Sequence, residues 1–123
     1  MSDNVEKHSW GFEAVWAKAD GYGAKHMMFL QAGSKTDIFF QKKTHKTWFV
    51  ASGNFSIKWI DTSNGKVFES KLEEGSVFEV ETLKPVCLEA LTDNSSITEV
   101  NNGIYDNDKF IVYLGDNVLR KDL

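Results

Sequence analysis

Apolar and polar side chains alternate in short runs along almost the whole chain, and that pattern excludes most folds. In Asn54–Asp61, Phe55, Ile57 and Trp59 fall on one face and Asn54, Ser56 and Lys58 on the other, the period-two signature of a half-buried strand. Runs of the same kind are GFEAVWAK, KHMMFLQA, TDIFFQ, TWFVAS, GKVFES, SVFEVE, VCLEAL, SITEV and FIVYL. Between them stand punctuators: Gly21 and Gly23, Ala32-Gly33-Ser34, Ser52-Gly53-Asn54, Glu73-Glu74-Gly75, Thr92–Ser96 and Asn101-Asn102-Gly103. About ten short strands so spaced describe a sandwich or barrel. Asn64-Gly65 predicts a two-residue hairpin turn of type I′, with positive φ at both residues. No stretch holds a 3.6-residue period, and SKLEEG offers at most one helical turn.

The sixteen aromatic residues among 123 favour strands over helices. The length suits one domain over residues 1–123 with its own core, with residues 1–8 and 117–123 expected to fray for want of apolar anchors. Cys87 is the sole cysteine, so an intramolecular disulfide and a cysteine-built zinc site are excluded. A net charge of −4 disfavours nucleic acid as a partner. No apolar run approaches the ~20 residues of a membrane-spanning helix, and MSDNVEKHSW lacks the apolar stretch of a signal peptide, so a cytoplasmic location without membrane contact is expected. Closing the sheets on one another hides their edges, and the fold class is all-β.

The spacing becomes specific at GSKTDIFFQKKTHKTWFVASG. Gly33 is followed by five residues and then by Phe39, Phe40 and Gln41; four more reach Lys46, and six more reach Gly53. Downstream, Gly75 precedes SVFEV, Glu81-Thr82-Leu83, two residues, Val86, three residues and Ala90. This frame resembles the two motifs of the cupin family. In the first, glycine is followed by an x-separated ligand pair, a Glu ligand and a closing glycine. In the second, a glycine and a Pro-x-Gly lead to a His and an Asn. Trp10-Gly11, Gly21 to Lys25, and TWFVASG are similar to the mannose-6-phosphate isomerase type of cupin domain, the type fused to mannose-1-phosphate guanylyltransferase. That resemblance runs over about residues 9–101, and DNDKFIVYLGD is loosely similar to the family's closing strand. It implies a single-domain double-stranded β-helix, or jelly-roll barrel, that forms homodimers.

It also implies where a metal would be held. The family's four ligand positions fall on Phe39, Gln41, Lys46 and Val86. Phenylalanine and valine offer no lone pair, lysine brings a positive charge, and the Gln41 amide is one weak donor. A transition metal needs several His, Cys or carboxylate groups converging on it. His8, His26 and His45 sit at no ligand spacing, so neither a metal nor another cofactor is expected.

Phe39 and Val86 read most simply as core that fills the former site. Lys46 should point inward and cannot stay there uncompensated. It could pair with Glu79 or Glu81, bind an anion, or send its head out through the barrel mouth. Trp48 shares its face, as core or as a stacking surface for a sugar. The cluster Lys35, Lys42, Lys43, His45 and Lys46 reads as a solvated turn before it reads as a phosphate site. Cys87 reads as a small buried hydrophobe.

Three functions remain open. The first is a metal-less, non-catalytic barrel binding a small polar or anionic molecule, such as a sugar or its phosphate, through Phe39, Gln41, Lys46, Trp48 and Val86. The second is a metal-independent sugar isomerase or epimerase, with His26, Lys46, Glu79 and Glu81 as acid–base candidates. The third is an assembly module. An open interior of several hundred Å³ would favour ligand binding, and a filled one would move the function to the outer surface.

Overall fold

The computed structural model describes residues 4–103 and 108–113. Among them are eleven strands and no helix: β1 (Val5–His8), β2 (Gly11–Ala19), β3 (Tyr22–Phe29), β4 (Ile38–Gln41), β5 (Lys46–Ser52), β6 (Phe55–Asp61), β7 (Lys66–Leu72), β8 (Val77–Val80), β9 (Val86–Ala90), β10 (Ser95–Asn101) and β11 (Lys109–Tyr113). They form two antiparallel sheets, ordered β1-β2-β3-β10-β5-β8 and β11-β4-β9-β6-β7. SKL of SKLEEG continues β7 rather than turning into a helix.

The inward faces carry the alternation through. Phe29, Trp48, Val50, Phe55, Ile57, Leu88 and Ile97 are fully buried between the sheets, each contributing roughly 1.5–3 kcal/mol of burial. The Phe29 ring meets Phe55 edge-on at 5.0 Å between centroids and so ties the two sheets together. The second sheet is thin at one seam, where β4 joins β9 through the single pair Phe39–Val86.

Two expectations need correction. Residues 5–8 are not frayed: β1 pairs with Gly11–Ala14 of β2, and its His8 ring stacks on Trp10, which stacks on Phe29. The anchors of the N-terminal segment are therefore an imidazole and an indole, which a search for aliphatic residues passes over. Residues 117–123 lie outside the described residues. The β6–β7 hairpin exists as expected, but its turn is not type I′: Gly65 has φ +72° and Asn64 is not left-handed. The Asp61 carboxylate accepts bonds from the Ser63 N–H and hydroxyl at 2.9 and 2.6 Å. That local bond holds the chain in a longer right-handed turn that only Gly65 needs to close.

Gly53 of the glycine frame is required sterically. It has φ +77°, and a side chain there would overlap the Ser95 and Thr92 hydroxyls. Leu83, which the resemblance aligns with the glycine of Pro-x-Gly, has a left-handed φ of 65°, a conformation that costs a non-glycine residue about 1–2 kcal/mol.

Candidate functional site

The site grows from the parity of β4 and β5. Phe39 and Gln41 on β4, and Lys46 and Trp48 on β5, point into the barrel. There, with residues of β1, β2, β3, β10 and β11, they line a cavity of about 110 Å³. At ~30 Å³ per water it has room for three or four waters. Most of the interior is filled.

Lys46, which the resemblance aligns with a Glu ligand, is 5% exposed. Its Nζ donates a short bond of 2.5 Å to Gln41 Oε1 and lies 4.4 Å from the Phe39 ring centroid and 4.9 Å from that of Trp48. Two ring faces and an amide oxygen thus cradle the ammonium. Burial pushes its pKa down to about 8; Glu99 and Glu13 oppose that shift, while Lys25 and Lys109 add to it. Among the described residues no carboxylate comes within 4 Å of its Nζ.

Glu99 on β10 organises the opposite wall. Though 3% exposed, it is well partnered: Trp48 Nε1 donates to one oxygen at 2.8 Å and Asn101 Nδ2 to the other at 2.8 Å. Lys25 stands 3.9 Å from Glu99 and 3.1 Å from Glu13. Burial alone would lower the Lys25 pKa, but Glu99 and Glu13 outweigh it and hold the group above the ordinary lysine value. Glu13 mirrors this, since Lys25 overcomes its desolvation and keeps the carboxyl below the usual range. Lys109 also lies over the Phe39 ring, 4.7 Å from its centroid.

Phe39, Gln41, Lys46 and Trp48 thus line one cavity. Val86 is 1% exposed and packs in the core beside Phe39 without reaching the cavity. The acid–base set does not converge. His26 is on the outer face, with Nδ1 3.1 Å from Thr98 Oγ1 and its ring against Trp16. Glu79 is exposed and paired with His45 at 2.8 Å, and Glu81 is exposed beyond the end of β8. Strand parity explains this: Val80 takes the inward place on β8, so its neighbours Glu79 and Glu81 face out.

The basic cluster is scattered too. Lys42 and Lys43 are exposed, while their N–H groups and those of Thr44 bind the Asp108 carboxylate at 2.8–3.2 Å. Cys87 is buried; burial raises its pKa, and its thiol donates to the Thr36 carbonyl at 3.3 Å.

Sequence reasoning missed Glu99, Glu13, Glu6, His8 and Lys25. The signal for Glu99 was present, because it shares a strand face with Ile97. A larger groove of about 710 Å³ runs outside, along Val5, Phe12 and Leu30, with His8 and Trp10 bordering both spaces. It is apolar, and the charged chemistry lies in the smaller cavity.

Several solved structures are similar in fold. The capsular polysaccharide assembling protein CapF from Staphylococcus aureus superposes with a TM-score of 0.77 at 14% identity, over 89% of this chain and 34% of that one. Oxalate decarboxylase from Bacillus subtilis gives 0.78 at 14%, over 88% and 29%. KdgF from Halomonas sp. gives 0.67 at 14%, over 86% and 84%. This is the cupin fold. The chain spans about a third of the length of CapF and of oxalate decarboxylase, and at such identities the likeness is one of fold alone. No protein-family model and no curated protein matches the sequence. A metal at the cupin ligand positions does not fit this chain, because Phe39 and Val86 have no donor atom and Lys46 puts an ammonium among them. No helix among the described residues is long and apolar enough to cross a membrane.

Proposed function

We propose that this cupin-fold chain is a non-catalytic binding module whose interior takes the anionic group of a small molecule, a carboxylate or a phosphate. The observation that carries this reading is the Lys46 ammonium: buried, bordering a cavity, and bound to a neutral amide instead of a carboxylate. An anion entering beside it would supply the missing counter-charge and stabilise the protonated form. A volume of about 110 Å³ admits such a group but not a sugar ring, so the rest of the ligand stays at the mouth. The similarity to the mannose-6-phosphate isomerase type of cupin domain makes sugar phosphates the first class to test. Thermal unfolding should shift upward with inorganic phosphate and mannose 6-phosphate, not with mannose, and the shift should vanish in Lys46→Met. Absence of any anion-dependent shift, or an equal one in Lys46→Met, overturns the reading.

A second feature favours self-association. The outer face of the six-stranded sheet carries a row in which Trp16 contacts His26, His26 pairs with Thr98, Thr98 with Phe49, and Phe49 with Val77. Trp16, Phe49 and Val77 are 56%, 44% and 62% exposed, an unusual run of apolar surface. A homodimer through this face should elute as twice the monomer mass and dissociate in Phe49→Lys; a monomeric parent protein removes it.

A further inference from the structure

At the rim of the same cavity, the chain brings together donors that the Lys46 cradle does not use. Glu6 and His8 are two residues apart on β1, and Glu13 faces them from β2. Their ligand-type atoms all lie within 4.8 Å of one another. His8 Nε2 is buried and has no hydrogen-bond partner, one of two such side-chain atoms among the described residues. It stands 3.7 Å from Glu13 Oε1, beyond hydrogen-bond reach. Leaving a buried nitrogen unpaired costs about 1–3 kcal/mol, and the ring is held there by its stack on Trp10, 4.6 Å away and inclined by 9°. Glu13 is steadied as well: Lys25 holds its Oε2 at 3.1 Å, which leaves Oε1 on the His8 side. Partners of this kind orient metal-binding carboxylates.

We propose that Glu6, His8 and Glu13 form a divalent-cation site at the barrel rim. One imidazole nitrogen and two carboxylates suit a borderline ion such as Zn²⁺, Mn²⁺ or Co²⁺ better than Ca²⁺, which takes oxygen ligands. Bonds of ~2.1 Å in a tetrahedral site put ligand atoms about 3.4 Å apart. The trio therefore closes by roughly 1 Å on binding, a movement that exposed Glu6 can supply by changing rotamer. Three protein ligands leave a coordination position for water or an oxygen of a small molecule. Glu6, Glu13 and Glu99 attract the ion, while Lys25, Lys46 and Lys109 around the same cavity oppose it, so the site is selective for a doubly charged ion and moderate in affinity. None of the three ligands occupies a cupin metal position as the motif places them, and the site stands whether or not an anion binds at Lys46.

The test is calorimetric titration of untagged, chelator-stripped full-length protein with Zn²⁺ alone, together with thermal unfolding in its presence. The expected result is one equivalent bound, with affinity reduced tenfold or more in Glu6→Gln and in His8→Ala, and undiminished binding in Lys46→Met, which removes one of the opposing charges. Equal affinity in the parent, Glu6→Gln and His8→Ala, or no stoichiometric binding by the parent, overturns the proposal. Should His8→Ala fail to fold, Glu6→Gln decides it, since that residue is exposed and its amide has the same shape. Phosphate binding by the stripped Glu6→Gln protein reports separately on the Lys46 reading.

Discussion

At the β5 end of the cavity the chain has inserted its own cation, Lys46, between Phe39 and Trp48 and against Gln41. At the β1 end it presents Glu6, His8 and Glu13, donors gathered around a histidine nitrogen that no neighbour satisfies. The two ends share one wall, made by Lys25, Glu13 and Glu99. The difference shows that in a small barrel the charge at the centre is set by side-chain parity on each strand, so one region can hold an ammonium while its neighbour gathers carboxylates and an imidazole.

The shared wall is where the comparison breaks most readily. Glu99→Ala strips the acceptor from the Trp48 indole and from Asn101, and removes the carboxylate that most favours the charges of Lys25 and Lys46. Denaturant unfolding should show a loss of about 3–5 kcal/mol, as expected for one partner of a buried ionic network.

The next effect has the opposite sign. Lys46→Met should stabilise the protein by about 3 kcal/mol at pH 7, because the parent chain must keep a proton on an amine whose pKa falls from 10.5 to about 8. The groups facing it are Glu99 and Glu13, which favour the charge, and Lys25 and Lys109, which oppose it. Between pH 8 and 10.5 the unfolded chain binds more protons at this site than the folded one, so parent stability rises with pH across that window. The variant's advantage should therefore shrink as pH climbs; an advantage independent of pH would show that Lys46 is not desolvated as described.

Asp108 controls how firmly β11, and with it Lys109, closes the cavity. Its carboxylate accepts bonds from the N–H groups of Lys42, Lys43 and Thr44 and from the Thr44 hydroxyl. Burial works against its charge, but these bonds outweigh it and hold the pKa below the ordinary aspartate value. That contribution is complete above the unfolded pKa near 4 and disappears as pH falls through the lower folded one. Asp108→Asn should cost about 1–2 kcal/mol at pH 7 and flatten this acid limb of the stability profile.

The smallest effect belongs to the β1 end. Without metal, Glu6→Gln should change stability by less than about 0.5 kcal/mol, as an exposed substitution does. A larger loss would mean that Glu6 supports the fold itself and would blur the contrast with Lys46.

The strands were legible wherever one face was clearly apolar, as in Phe55–Asp61, and the glycine frame located the inward places of Phe39, Gln41 and Lys46. Parity is harder to read in SVFEVE, where valine lies on both faces, which is why Glu79 and Glu81 stand as candidate partners of Lys46 in the sequence although both face outward. In SITEV the core residue Ile97 put Glu99 on the inner face, yet a glutamate in a strand is ordinarily solvent-facing. His8 was lost because its anchor is a ring stack with Trp10 and Phe29, a tertiary contact with no periodicity to announce it.

A charge carried on a lysine stem cannot be pulled away by a chelator or replaced by a competing ion. It changes only when a proton leaves. The charge at Lys46 is thus independent of metal supply and answers instead to mild alkalinity, where that amine loses its proton and the proposed anion binding should weaken.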